Sequence, residues 1–573
     1  MFLVAITKDG ITNNFKSFKV EESNLHFSKI TAVTDGFLSE FITESNGFSV
    51  IESPLISTYN SDEIIFSKLT YDSQNDSLTV LNSMMFGRPL YYYVNSKDGF
   101  FCSTNISLLR SAGVPIEENT DVLPEFFVYR NIMAPNTMFK DIYQLPCECQ
   151  LKIKIIDETC FIKPIIFYNP PKKNKKIKSV KESSNKLYSL ISESIKKLKI
   201  YNDVTAVFLS GGIDSSVISS ICKLNFITDT SYSTEYPFEE PIFNIEKENA
   251  LSASQTLGMK HYHYSPTNQD YITGFLEAIS KAEEPLHHLQ SVLLHLLIKK
   301  GIDENKKILI NGQGMGTIVG DNYFLYTQNK RLFKLLSKNI PLGVLKVLSK
   351  IFQQNEKYIE IMNKSIYKYD LSNPKNPIWS WMDYGSKIWV CNYFNVTEYD
   401  IIKNRYNIIK NFQNLSVNDI WSIYSLFSDE QNSLSIWGKI GEGNKKIIYF
   451  PYYDLSILNY AFSIPSKIKF HRPWGVMRKE IARRANIPEF IIDRPKSSFS
   501  IKSKHWSENN GIFEPLVPLA SKVIDEKEIR KMQSPIPKKA MIYWNILNYS
   551  IWKRLLINNE PLEVLLEELK EYY

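Results

Sequence analysis

Cysteine is scarce in this chain: six residues among 573, at positions 102, 147, 149, 160, 222 and 391. That is too sparse for a disulfide scaffold. The only close pair, Cys147 and Cys149, is separated by one residue, a poor spacing for metal ligands. Glycine and proline are also few, 22 and 26, beside 43% hydrophobic and 23% charged residues, which excludes a disordered or collagen-like chain. No apolar run approaches the roughly 18 residues that span a bilayer. The opening MFLVAITKDG lacks the basic region, apolar stretch and small-residue cleavage site of a secretory signal. Charge of one sign is not in strong excess either: 68 basic against 61 acidic residues give +7. Its one concentration, Pro171 to Lys178, holds five lysines in eight residues with no interleaved aromatic, so it reads as a solvated linker and not as a nucleic-acid surface. The expectation is a cytoplasmic globular protein of two to four domains, without a membrane span or structural metal.

What is present changes character along the chain. Up to about residue 167, short β-leaning stretches (FLVAIT, FSVIES, SLTVLN, LYYYV, CQLKIKII) alternate with turn residues, including Asp-Gly at 9–10, 35–36 and 98–99. An α+β domain is expected over 1–167. The Pro- and Lys-rich stretch 168–180 is the best linker, and 181–573 forms the rest. There Leu187, Leu190, Ile191, Ile195 and Leu198 follow helical spacing. VTAVFL reads as a buried parallel strand, followed by a Gly-containing turn and the helix VISSICKL, and KKILI precedes a second Gly-rich turn. Strand-turn-helix units of this kind predict a doubly wound α/β sheet, with helical patterns dominating after about Lys330.

The turn after VTAVFL carries the chemistry. In Ser210-Gly211-Gly212-Ile213-Asp214-Ser215-Ser216, two glycines allow close backbone approach, and N–H groups converge at the start of a helix. The hydroxyls of Ser210, Ser215 and Ser216 add donors for phosphate oxygens. Asp214 alone would repel a phosphate, so a Mg²⁺ between the two is expected.

SGGIDSS resembles the pyrophosphate loop of ATP pyrophosphatases, which release AMP and pyrophosphate. Other stretches resemble the asparagine-synthetase superfamily in family order. They are MFGRPLYYYVNSKDGFFCSTNISLL (85–109), YRNIMAPNTMFKDIYQLPCECQLKI (129–153), ENALSASQTLGMKHYHY (248–264), EEPLHHLQSVLLHLLIKKG, NGQGMGTIVGDNY (311–323), FPYYD (450–454) and WGVMRKEIARRANIPEFIIDRPKSSFS. The resemblance implies a degenerate Ntn-hydrolase-like α+β domain followed by a synthetase domain binding ATP and Mg²⁺. ATP would lie on Ser210, Gly211, Gly212, Ile213, Asp214, Ser215 and Ser216, with Ser233, Gly312, Gln313 and Gly314 nearby. Asp214 would be the metal ligand, and Lys496 would stabilise the leaving pyrophosphate and the developing oxyanion. Asp454 is expected as a helix cap, and Arg478 and Arg494 as structural ion-pair donors. His287, His288 and His295 are expected as buried or polar-facing histidines along one helix.

Two departures from the family pattern steer the function. The family's glutaminase cysteine is absent: Phe2 follows Met1 and the next cysteine is Cys102, so the first domain is expected to be a remnant. The second metal acid is replaced by Gly316, followed by Thr317, and the earlier Glu by Gln313, which cannot act as a base. Asp321, Glu283 or Glu284 are candidates to compensate. The resemblance then implies an amide-forming ligase closing a ring on a substrate with a free amine and carboxylate, as lasso-peptide cyclases and β-lactam synthetases do. By analogy it would work beside a leader-peptide-binding protein and a protease. An ammonia-using amidotransferase and a catalytically impaired interaction protein stay open.

Overall fold

A computed structural model describes residues 2–7, 19–24, 29–34, 39–44, 47–52, 67–83, 87–95, 99–156, 159–163, 165–239, 245–319, 370–380, 383–469, 475–494 and 505–572. Two antiparallel six-stranded sheets come first. One runs in the order Ile142–Gln144, Tyr91–Asn95, Gly99–Ser103, Phe2–Thr7, Lys29–Thr34, Lys19–Asn24. The other runs Thr159–Ile162, Gln150–Ile156, Ser77–Asn82, Ser67–Asp72, Gly47–Glu52, Ser39–Glu44. Alternation decides which face is buried: Ser67–Asp72 switches strictly between buried and half-buried positions. Val50, Leu69, Val80 and Leu151 stand directly opposite one another across four strands, all essentially inaccessible. The expected strands in FLVAIT, FSVIES, SLTVLN, LYYYV and CQLKIKII are therefore present. The Asp-Gly pairs at 9–10 and 35–36, and Asp98, lie outside the described residues.

The third sheet has five parallel strands in the order Lys260–Tyr264, Thr230–Thr234, Thr205–Phe208, Ile308–Ile310, Ile447–Tyr449. The three central strands are short and apolar or hydroxyl-bearing, as strands covered on both faces require. Lys260–Tyr264 is the polar edge, with Tyr262 54% exposed. Chain order runs outward in one direction from Thr205–Phe208 and then reverses, so a switch point lies between that strand and Ile308–Ile310. Ligands of doubly wound sheets bind outside the strand ends at such a point. The predicted helix after the linker spans Val180–Lys196, is capped by Ser179 accepting from the Glu182 N–H, and buries Leu187, Leu190, Ile191 and Ile195. No helix among the described residues is long and apolar enough to cross a membrane.

The Lys-rich run is less solvated than its composition predicts. Lys173 Nζ lies 2.6 Å from Asp419 Oδ1 and donates to the Phe462 carbonyl, while Ile177 is buried. One neutralised lysine and one apolar residue pin the run to the helical layer.

Candidate active site

The Ser210–Gly212 turn joins the central strand Thr205–Phe208 to the helix Ile213–Leu224. Gly211 sits at φ +75°, and a Cβ there would lie 2.2 Å from the Asn249 carbonyl oxygen, so only glycine fits. Hydroxyls fold the turn onto itself: Ser215 Oγ is 3.1 Å from Ser210 Oγ, accepts from the Ser210 N–H and donates to the Gly212 carbonyl. Ser216 Oγ is fully buried without a hydrogen-bond partner. The unpaired N–H groups of the helix's first turn point out of its N-terminus, which suits phosphate oxygens.

Asp214 is held from two sides. Arg478 Nε donates to its Oδ1 at 2.6 Å, and Tyr452 donates to its carbonyl. Arg494 Nη1 donates to the Gly211 carbonyl at 3.0 Å. Both arginines thus sit on the turn itself. Arg478 forms the ion pair expected of it, with a partner the sequence did not indicate, whereas Arg494 is seen on a backbone carbonyl and not on an acid. Lys496 and Asp321 lie outside the described residues.

Because its strand neighbours Thr205–Phe208, the second turn packs directly on the first. A Cβ on Gly312 would come within 2.9 Å of Ser215 Cα, and one on Gly314 within 2.5 Å of the Tyr453 ring. Gly316 and Thr317 lie in the short helix Met315–Val319 that follows, where no acid stands. An acid arrives from elsewhere. Glu430, 5% exposed, accepts from Gln313 Nε2 at 2.8 Å, Thr317 Oγ1 at 2.7 Å and Tyr453 OH at 2.6 Å. Burial first, and then neighbouring Asp429, push its carboxyl above the usual carboxylate range. The sequence signal was an Asp-Glu pair, the only acids in the stretch from Ile420 to Ile440.

Of the three acids proposed to compensate for Gly316, the two that lie among the described residues are committed elsewhere. Glu283 accepts from the Ile106 and Ser107 N–H groups and pairs with Lys439. Glu284 takes the Tyr91 hydroxyl. Ser233 Oγ lies between His261 Nε2 (2.9 Å) and His263 Nδ1 (2.7 Å), which take up two of its three hydrogen-bonding positions. Burial, then the neighbouring His263, bring His261 down to about 4. Asp454 caps its helix through the Ser456 N–H and pairs with Lys197 at 2.9 Å, as expected.

The histidines do not share one helix. His287 and His288 precede the helix Gln290–Leu296, which carries His295. Pro285 and the turn around it keep them out of helical backbone. They also have acidic partners: Asp429 Oδ1 is 2.5 Å from His287 Nε2 and 3.9 Å from His288 Nε2, and Glu277 is 2.8 Å from His295. Ligating atoms of His287, His288 and Asp429 fall within 4.8 Å of one another. An Arg130 terminal nitrogen, which can only donate, faces His288 Nδ1 at 3.2 Å. The proton of His288 then belongs on Nε2, the atom a metal would need, whereas a metal-binding histidine gives its second N–H to an acceptor.

Residues 186–377 match the asparagine synthase family and residues 58–160 the glutamine amidotransferase domain. Among similar proteins, the glutamine-hydrolysing asparagine synthetase 1 of Bacillus subtilis is 22% identical over 440 residues, 74% of this chain and 65% of its own length. A putative glutamine-hydrolysing asparagine synthetase of Mycobacterium tuberculosis is 18% identical over 433 residues, covering 71% and 62% respectively. The chain spans just under two thirds of the length of these relatives.

Proposed function

Because the chain belongs to the asparagine-synthetase superfamily, we propose that it is an ATP-dependent carbon–nitrogen ligase that activates a substrate carboxylate by adenylation. The domains are taken as 1–167, a linker at 168–180, and a synthetase domain over 181–573. The observation that carries the reading is the Ser210–Ser216 turn at the switch point of a parallel sheet, packed against a second glycine turn. The phosphates of ATP would sit on Ser210–Ser216, with Gly312–Gly314 closing over them and the base toward Ser233. Attack of a carboxylate on the α-phosphorus gives an acyl-adenylate and pyrophosphate. A substrate amine then attacks the carbonyl and AMP leaves. Lys496 would supply positive charge where the leaving group and oxyanion form.

Asp214 fits a magnesium ion only in part. It is the one carboxylate in the turn and already faces Arg478, so any ion would be held chiefly by phosphate oxygens. When bound, it would neutralise charge on the leaving pyrophosphate.

The finer reading is ring closure on a peptide, of the lasso-cyclase type, with a leader-binding protein and a protease as partners. Its support is the state of the thiols. Cys102, Cys147, Cys149 and Cys222 are buried, and burial pushes each thiol up, Cys149 to about 12. None of these four resembles an activated nucleophile, which favours an amine carried by the substrate over ammonia from glutamine. A second reading, an impaired enzyme, is favoured by the Arg478–Asp214 pair and by Gly316.

The test is pyrophosphate release from MgATP with two substrate sets. One is a peptide with a free N-terminus and an Asp or Glu several residues on; the other is aspartate with ammonium. Peptide-dependent release supports ring closure, and aspartate-dependent release supports the ammonia-using alternative. ATP binding without AMP formation from either set would overturn the ligase reading.

A further inference from the structure

Arg130 differs from the other buried arginines. Arg88 rests on Glu442 at 2.5 Å, Arg405 on Glu125 at 2.9 Å, and Arg554 on Glu560 and Glu568 at 2.5 and 2.8 Å. Among the described residues no carboxylate lies within 4.0 Å of Arg130, yet only 5% of it is exposed. Its guanidinium carbon is 3.4 Å from the centre of the Tyr384 ring, one terminal nitrogen faces His288, and Nε is buried with no hydrogen-bond partner. Arg130 also ends the Leu123–Tyr129 helix at φ 62°, a left-handed conformation that costs a side-chain-bearing residue roughly 1 kcal/mol or more. Asp429, which pairs with His287, is the negative charge this guanidinium feels. No carboxylate among the described residues reaches it directly, and a strained backbone holding a buried cation without a direct ion pair is an arrangement that stability alone does not favour.

The same side chain lines an open cleft with Asn131, Gln144, Glu284, Asn432 and Ile436. The cleft lies where the segment after Leu123–Tyr129 meets the helix Gln431–Gly443. Its chemistry is one guanidinium, several amides and one carboxyl. Glu284 opposes an incoming anion only weakly, because burial raises its carboxyl above the usual range and its oxygen already takes the Tyr91 hydroxyl at 2.5 Å. With one cation lining the cleft, a monoanion suits it better than a phosphate dianion. The edge formed by Nε and a terminal nitrogen of a guanidinium matches the two oxygens of a carboxylate.

We propose that this cleft binds the carboxylate of a small organic acid, with Arg130 as its principal ligand. The cleft shares no lining residue with the Ser210–Ser216 turn, and the proposal does not depend on the nucleotide reading.

The experiment follows acetate binding to the full chain by saturation-transfer NMR in constant chloride, for the wild type, Arg130→Gln and Arg130→Lys. Saturable acetate binding is expected, weakened at least about tenfold by Arg130→Gln. Arg130→Lys keeps the charge but loses the fork, so it should be weakened as well, and it carries the comparison if Arg130→Gln fails to fold. MgATP affinity is measured alongside and should be unchanged in both variants. Loss of ATP binding in the wild type would count against the ligase reading and leave the acetate result standing. Absence of saturable acetate binding, equal affinity in the variants, or tighter binding of inorganic phosphate would overturn the proposal.

Discussion

Glu430 is the residue whose position matters most and whose importance was least visible in the chain. It reaches Gln313 across 117 sequence positions and satisfies three donors, Gln313, Thr317 and Tyr453, with one carboxyl. Removing a shared acceptor leaves buried donors unsatisfied at about 1–3 kcal/mol each, whereas an amide of the same shape keeps part of the network. Glu430→Ala should therefore lower unfolding stability by roughly 3 kcal/mol or more and Glu430→Gln by less, read from urea unfolding curves. Equal losses would show that packing, and not hydrogen bonding, explains its burial. At Asp214 the residue type was legible but its partner was not. The sequence offered the carboxylate to a cation without indicating that Arg478 would supply the charge.

At the scale of elements, periodicity told most of the story. The alternation in SLTVLN, the apolar VTAVFL and the helical face of Leu187, Leu190, Ile191 and Ile195 each appear where local pattern places them. Pattern failed where an element depends on a distant neighbour. The five-residue stretch Leu426–Glu430 widens to i→i+5 hydrogen bonding between two ordinary helices, and no local rule announces it. Gly211 is the opposite case, because a Gly-Gly turn between strand and helix announces itself and the structure supplies the reason. Gly211→Ala must meet both a left-handed φ and the Asn249 carbonyl at 2.2 Å. A loss of about 1–3 kcal/mol in stability and at least tenfold in ATP affinity is expected, checked by thermal unfolding and calorimetric titration. Unchanged ATP affinity would remove the turn from the nucleotide site.

For the whole molecule, the buried ion pairs decide how its parts hold together. Glu283 sits at the end of the helix Asn268–Ala282, accepts the Ile106 and Ser107 N–H groups of the helix Ile106–Ser111, and pairs with Lys439 on Gln431–Gly443. Lys439→Met strands that carboxylate and should cost about 3–5 kcal/mol. Adding Glu283→Gln should recover part of the loss in a double-mutant cycle, and strict additivity would deny the coupling. Acid should weaken the fold through its histidines. Burial holds His261, His263, His287, His288 and His295 below their usual range. The unfolded chain therefore binds more protons than the folded one, and stability is lost as pH falls from about 6.5 toward the value of about 4 held by His261. Unfolding midpoints measured across that window should drop, and His261→Gln should flatten part of the slope. A flat wild-type profile would contradict these assignments. The widened turn at Leu426–Glu430 bears on how the sequence can drift over generations. Its last two residues, Asp429 and Glu430, serve different clusters on different sides. Deleting one residue there would rotate all that follows by roughly 100° about the helix axis. Natural selection can exchange side chains in this segment one at a time, but its length must be inherited intact.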